Sequence, residues 1–94
     1  MRLTSRELNV IRTTIVEFDR NGRAWLFGSR ADDSRRGGDI DLYLETSHPV
    51  SLRESLALEY RLASLCGTKV DLLVRNPGQT MLPIHEIARE GVPL

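Results

Sequence analysis

The sequence lacks most of the features that would assign it to a specialised class of protein. Its one cysteine, Cys66, cannot form an internal disulfide and cannot by itself supply a zinc site. The longest apolar run covers only residues 24–27, which is far too short to cross a bilayer. The net charge is zero, with 13 basic and 13 acidic residues. This balance argues against a protein that holds nucleic acid by charge alone, because such proteins are normally basic.

The composition is that of one small globular domain. Of 94 residues, 40% are apolar and 28% are charged, so we expect a single domain over residues 1–94 with a thin core. The opening residues 1–7 contain neither an apolar segment nor a small-residue cleavage site, and so predict no signal peptide. We therefore expect a cytoplasmic protein whose small size favours work with a partner or in an oligomer.

Helix starts are marked by two capping boxes, Thr4–Glu7 and Ser51–Glu54. In each box the hydroxyl and the carboxylate can satisfy backbone N–H groups that have no partner within the helix. Short apolar or alternating runs predict strands at residues 23–27, 39–45 and 69–74, and the pattern at residues 84–88 predicts a last short helix. This alternation predicts an α/β or α+β fold with a small sheet covered by helices.

The apolar residues suggest which side chains belong to the interior. The helix after Ser51 carries two adjacent stripes, one of Leu52, Leu56, Tyr60 and Ala63, the other of Leu58, Leu62 and Leu65. Trp25 is expected in the core or at an interface, and Cys66 is expected to be a small apolar residue near a helix end. His85, in the first turn of the last helix, is expected on the surface.

Gly28-Ser29 follows the first predicted strand and opens an expected helical turn. Glycine lets a backbone approach a phosphate closely, the N–H groups at a helix start attract anions, and Ser29 adds a hydroxyl donor. On its own the pair is equally compatible with a plain turn. Arg30, Arg35 and Arg36 follow and could clamp phosphates, or could balance the two acidic residues of the same loop.

Asp39 and Asp41 lie two residues apart in the second predicted strand. Their side chains should therefore share one face, with α-carbons roughly 6.5–7 Å apart. Carboxylates leaning together at ~4 Å would repel by about 4 kcal/mol at an effective dielectric of 20. A divalent cation such as Mg²⁺ would relieve that repulsion. The alternative is a pair of solvated aspartates on an exposed face.

Asp71 lies within the apolar run of the third predicted strand. An acid in such a run needs a partner if it is buried, or else it faces solvent at an edge. If its strand lies beside the second strand, three carboxylates converge. Two could then hold a metal ion, and the third could complete its coordination or accept a proton from an attacking hydroxyl.

The order of these features along the chain is more informative than any one of them. A strand with Gly-Ser is followed by a strand with Asp-x-Asp, and then by a strand with one further Asp. A phosphate cradle, a metal pair and a third carboxylate are the parts that transfer of a nucleotide from a triphosphate requires.

The string from Phe27 to Leu42 resembles the minimal nucleotidyltransferases of the polymerase β superfamily. Those proteins share a Gly-Ser pair, a spacer and then Asp-x-Asp; here residues 30–38 form the spacer, and Gly38 stands where members often carry serine. Asp71 falls where the family carries its third carboxylate. The resemblance extends over nearly the whole chain.

This resemblance implies a fold, a site and a donor. The fold would be the short polymerase β-like core, a small mixed sheet of three or four strands flanked by helices. The catalytic and Mg²⁺-binding residues would be Asp39, Asp41 and Asp71, and the nucleotide phosphates would be bound by Gly28, Ser29 and Arg30. The donor would be a nucleoside triphosphate, expected to be ATP.

The resemblance also implies a partner. Minimal nucleotidyltransferases are commonly encoded beside an all-helical protein, either a HEPN-type ribonuclease toxin or a substrate-binding subunit. With a toxin as partner, the expected function is an antitoxin that adds AMP to a hydroxyl of that protein. Two alternatives remain: an antitoxin that acts by occlusion with vestigial carboxylates, and transfer to RNA 3′ ends, which the zero net charge disfavours.

Overall fold

The computed structural model describes residues 1–34 and 38–94 and confirms the expected alternation of helices and strands. The elements in chain order are α1 (Ser5–Phe18), β1 (Arg23–Phe27), a 3-10 turn (Gly28–Ala31), β2 (Ile40–Glu45), α2 (Leu52–Cys66), β3 (Val70–Arg75), α3 (Pro83–Arg89) and β4 (Val92–Pro93). The two-residue strand β4 has no counterpart among the individual strands that the sequence predicted.

Both capping boxes form as the sequence predicts. The Glu7 N–H donates to Thr4 Oγ1 over 3.0 Å, and the Thr4 N–H donates to Glu7 Oε1 over 2.8 Å. Ser51 and Glu54 exchange equivalent bonds of 3.1 Å at the start of α2.

Within the described residues, no helix combines the length and apolar character that crossing a membrane requires.

The four strands form one mixed sheet in the order β3-β2-β1-β4. β1 is antiparallel to both β2 and β4, whereas β2 and β3 run parallel. Parallel neighbours need a crossover connection, and α2 supplies it. This pairing brings Asp41 of β2 and Asp71 of β3 side by side, as the sequence analysis required if the carboxylates were to converge.

Alternation along the strands divides the side chains between two faces of the sheet. One face packs against α1 and α2 and forms the main core; its largest fully buried side chains include Ile11, Leu26, Ile40, Leu42, Leu44 and Leu62. The other face carries a smaller cluster of Trp25, Tyr43 and Ala88 under α3. The odd-numbered residues of β2 and β3, among them Asp41 and Asp71, lie on this second face.

The structure separates the two apolar stripes of α2. Leu58 and Leu62 are buried in the main core, but Leu65, the third member of their predicted stripe, is exposed. Of the other stripe, Leu52, Leu56 and Tyr60 are exposed to solvent, whereas Ala63 packs against the core. Hydrophobicity alone gave both stripes the same weight. The buried one is selected by where α1 and the sheet lie, which a helical pattern does not reveal.

α3 is fastened over the second face by an aromatic stack and an ion pair. The rings of Trp25 and Tyr43 stack at 5.3 Å, and those of Tyr43 and His85 stack at 5.6 Å. Glu45 accepts hydrogen bonds from Tyr43 and from two nitrogens of Arg89. The expectation that His85 lies on the surface is wrong, because its Nδ1 accepts the Leu82 N–H at the helix start and its ring is only 2% exposed.

We expect Leu62→Ala to lower the free energy of unfolding by about 2–5 kcal/mol, because the side chain is fully buried and its loss leaves a cavity. Leu56→Ala, on the exposed stripe of the same helix, is the matched control and should change stability by no more than about 0.5 kcal/mol. Urea denaturation followed by circular dichroism measures both. Equal losses would contradict the assignment of the buried stripe.

Candidate active site

The Gly28 turn lies directly against the carboxylate of Asp41. Phe27, the last residue of β1, pairs with Asp41 across the sheet, so the chain turns at Gly28 immediately beside this side chain. Gly28 has φ of 71°, in the left-handed region. A Cβ atom at this position would lie 2.3 Å from Asp41 Oδ2. Only glycine therefore allows both the backbone conformation and the close approach.

Asp41 and Asp71 lie side by side on adjacent parallel strands. They are register partners of β2 and β3, and their side chains point to the same face of the sheet. A position for Asp71 on the opposite face would have excluded a shared site. The structure thus brings together these two sequence-predicted site residues, and it places the Gly28 turn beside them.

Asp39 lies just before β2, although the sequence analysis placed it within the strand. Lys69 Nζ lies 3.9 Å from Asp39 Oδ2 and 3.8 Å from Asp71 Oδ1, so one ammonium group is shared by two carboxylates. All three side chains are at least half exposed, and such pairs contribute little to stability. Sequence reasoning missed Lys69, yet its position two residues before Asp71 was a signal that both share one face.

The pKa of the Asp41 carboxyl is raised above its ordinary value. Burial contributes most, followed by the negative charges of Asp71 and Asp39 and a side-chain hydrogen bond with Asp71. The Lys69 ammonium opposes the shift. The ionised form of Asp41 is thus held in unfavourable surroundings, and an added cation would stabilise it.

The donor set matches the ligand preference of a hard divalent cation. Carboxylate oxygens are the usual ligands of Mg²⁺, which commonly takes one or two of them together with substrate phosphates. Across residues 1–34 and 38–94, however, no three His, Cys, Asp or Glu side chains are already grouped so as to enclose a metal position. The half-exposed side chains of Asp39 and Asp71 can turn about their χ angles, so the residues fit such an ion without forming a finished cage.

Ser29 and Arg30 both form hydrogen bonds with Arg2 at the start of the chain. Ser29 is half-buried, and its carbonyl accepts a hydrogen bond from Arg2 Nη2 over 3.0 Å. The Arg30 guanidinium donates to the backbone carbonyls of Arg2 and Gly38, each over 2.8 Å. Its donors are thus directed at the chain's own backbone. The two other arginines of the predicted phosphate clamp, at positions 35 and 36, lie outside the described residues.

Two surface cavities of the described chain lie away from the aspartates. One of about 200 Å³ is formed by α1, β1 and Leu94, and one of about 220 Å³ lies between α1 and α2. Neither is lined by Asp39, Asp41 or Asp71. An apolar pocket is the usual first candidate for a ligand site. In this protein, however, Asp41 and Asp71 lie on the opposite face of the sheet from α1 and α2.

Comparisons with known proteins identify the family to which the chain is similar. The family described as "Polymerase beta, Nucleotidyltransferase" matches residues 9–94. A protein of Methanocaldococcus jannaschii named "Putative protein adenylyltransferase" is 38% identical over 52 residues, which cover 54% of this chain. The match spans 53% of that relative, so the chain aligns with about half of its length.

The contact between Gly28 and Asp41 generates a prediction about stability. Gly28→Ala should lower the free energy of unfolding by about 1–3 kcal/mol, because the new Cβ is strained at positive φ and displaces the Asp41 carboxylate. Gly38→Ala is the matched control, since a Cβ there meets no atom within 4 Å and the change should be close to neutral. Thermal denaturation of both variants measures the difference. A tolerated Gly28→Ala would contradict the close approach.

The raised pKa of Asp41 generates a prediction about pH dependence. The folded state binds a proton at Asp41 more tightly than the unfolded chain does, so this residue lowers stability as pH rises through the folded-state pKa. Asp41→Asn should therefore raise Tm at pH 7, and the gain should vanish near pH 3, below the ordinary Asp value of about 3.9.

Calorimetry at several pH values measures this dependence. Glu90→Gln, which removes an exposed carboxylate outside the cluster, is the control and should show no comparable gain. A Tm that falls in Asp41→Asn at pH 7 would show that repulsion among the three aspartates does not limit stability at that pH.

Proposed function

The chain belongs to the polymerase beta nucleotidyltransferase family, and we propose that it moves AMP from ATP, with Mg²⁺, to a hydroxyl group of a partner protein. The observation that carries this proposal is the in-register placement of Asp41 and Asp71 beside the Gly28 turn. This is the arrangement in which carboxylates and a close-approach backbone turn can act on one triphosphate.

The three aspartates divide the work in this proposal. Asp39 and Asp41 hold the metal ion, and Asp71 completes its coordination or accepts the proton of the attacking hydroxyl. Mg²⁺ would neutralise charge on the triphosphate and orient the leaving pyrophosphate. Support for the metal comes from Asp41, because burial and two neighbouring negative charges disfavour its ionised form, and a divalent cation would stabilise that form.

The phosphates are assigned to the Gly28 turn. The backbone N–H groups of this turn and the Ser29 hydroxyl are the donors that would bind phosphate oxygens. Gly28 adjoins Asp41, which supports a phosphate site next to the proposed metal site. Arg30 is left out of this role because its Nη1 and Nη2 groups are engaged with Arg2, Glu7 and Gly38.

The acceptor and the partner are inferred from less direct support. The relative from Methanocaldococcus jannaschii carries the name of a protein adenylyltransferase, which favours a protein acceptor. The outer face of α2 exposes Leu52, Leu56 and Tyr60, apolar surface of the kind that interfaces cover. We propose that the partner is an all-helical protein encoded by the adjacent gene, a HEPN-type toxin or a substrate-binding subunit, and that the pair acts in the cytoplasm as a toxin–antitoxin system.

Labelled ATP tests the proposal. With Mg²⁺ and the purified product of the adjacent gene, the chain should transfer label to that protein, and the α-phosphate should carry the label. Asp39→Ala combined with Asp41→Ala should reduce transfer by at least about 10³-fold, since the metal-binding groups are removed. Asp33→Ala, a matched change of an exposed aspartate in the preceding segment, should retain transfer. Undiminished labelling by the double variant would defeat the assignment.

A second candidate is an antitoxin that neutralises its partner by occlusion alone. The observation in its favour is that the aspartates within the described residues do not form a closed metal group. Under occlusion the double aspartate variant still binds the partner and still rescues growth. Under nucleotide transfer it binds but no longer rescues.

A further inference from the structure

We propose that Arg30 is a positioning residue for the nucleotidyl transfer described above, which fixes the backbone before Asp39 and does not bind the triphosphate. The inference rests on the proposed function for its consequence in catalysis, but the contacts that carry it are independent of that function. It reassigns a residue that the sequence pattern placed in the phosphate cradle.

The Arg30 side chain joins three separate parts of the chain. Nη2 donates to the Gly38 carbonyl over 2.8 Å, and Nη1 donates to the Arg2 carbonyl over 2.8 Å and to Glu7 Oε1 over 3.4 Å. The side chain is only 15% exposed, and Glu7, at 12%, supplies the opposite charge that a buried guanidinium needs. A triphosphate would have to replace these bonds before it could use the same donors.

The Gly38 carbonyl is the point at which the segments of the site meet. It accepts from Arg30 Nη2 and, over 3.3 Å, from Thr68 Oγ1. Arg30 lies within the turn that begins at Gly28, Gly38 precedes Asp39, and Thr68 precedes the strand that carries Asp71. One carbonyl oxygen thus links the proposed phosphate-binding turn to the segments of two proposed metal ligands.

The backbone of Arg30 is also fixed by hydrogen bonds, which come from Arg2. The Arg2 N–H donates to the Arg30 carbonyl over 2.7 Å, and Arg2 Nη2 donates to the Ser29 carbonyl. Arg2 and Arg30 therefore exchange bonds in both directions. The turn cannot shift without breaking these hydrogen bonds. The Arg30 backbone therefore fixes the Ser29 side of the segment, and the Arg30 side chain fixes the Asp39 side through Gly38.

The test compares Arg30→Met and Arg30→Lys with Arg53→Met, an exposed arginine of α2 as control. NMR of the full chain without nucleotide reports the Gly38 carbonyl carbon and Asp39 amide nitrogen shifts, and kinetics report kcat and KM for ATP. We expect both shifts to move in Arg30→Met and kcat to fall by about tenfold or more, with KM within about twofold. Arg30→Lys, which cannot span both carbonyls, should be intermediate.

Other outcomes decide against the proposal. A KM for ATP raised about tenfold at unchanged kcat, with the Gly38 and Asp39 signals unmoved, would make Arg30 a phosphate ligand and overturn the positioning role. If Arg30→Met does not fold, Arg30→Lys, which keeps a positive charge beside Glu7, should still move the same two signals, and unmoved signals in that variant would overturn the positioning role. If the unaltered chain transfers no nucleotide, the proposed function fails, whereas the NMR shifts still decide whether Arg30 holds Gly38.

Discussion

Repulsion between the carboxylates of Asp41 and Asp71 is the constraint around which the rest of the site is arranged. They occupy paired positions on adjacent parallel strands, and burial, together with the negative charges of Asp71 and Asp39, raises the pKa of Asp41. A small domain has little stability to spare for such an arrangement. The fold tolerates it because the buried residues on the opposite face fix the register, and a slip of one residue would expose that core.

The same face of the sheet carries two different solutions to the burial of polar groups. Around Glu45, the hydrogen bonds from Arg89 and Tyr43 outweigh burial and lower the pKa of Glu45. Burial and the hydrogen bond to Glu45 raise the pKa of Tyr43 to about 12. Around Asp41, the described residues supply only the exposed ammonium of Lys69 as compensation. The first arrangement fastens α3 to the sheet. The second leaves negative charge that a bound cation would neutralise.

The sequence predicts those features that depend on near neighbours along the chain. Capping boxes and strand alternation follow from spacing alone. The strand β4 was missed, because two residues carry no periodic signal. The burial of His85 was missed because it depends on the ring of Tyr43, which lies far away in the sequence.

The orientation of Arg30 shows most clearly why spacing falls short at the site. An arginine after Gly-Ser suits a phosphate by its chemistry, but its partners Arg2 and Gly38 approach it only in the folded chain. Glu7 extends this dependence to α1, since Oε1 accepts both the Thr4 N–H that caps the helix and a bond from Arg30. One carboxylate therefore ties the start of the first helix to the segment that leads to Asp39. Substitutions at that helix start should therefore alter the position of Asp39, because Glu7 both caps α1 and bonds the arginine that holds Gly38.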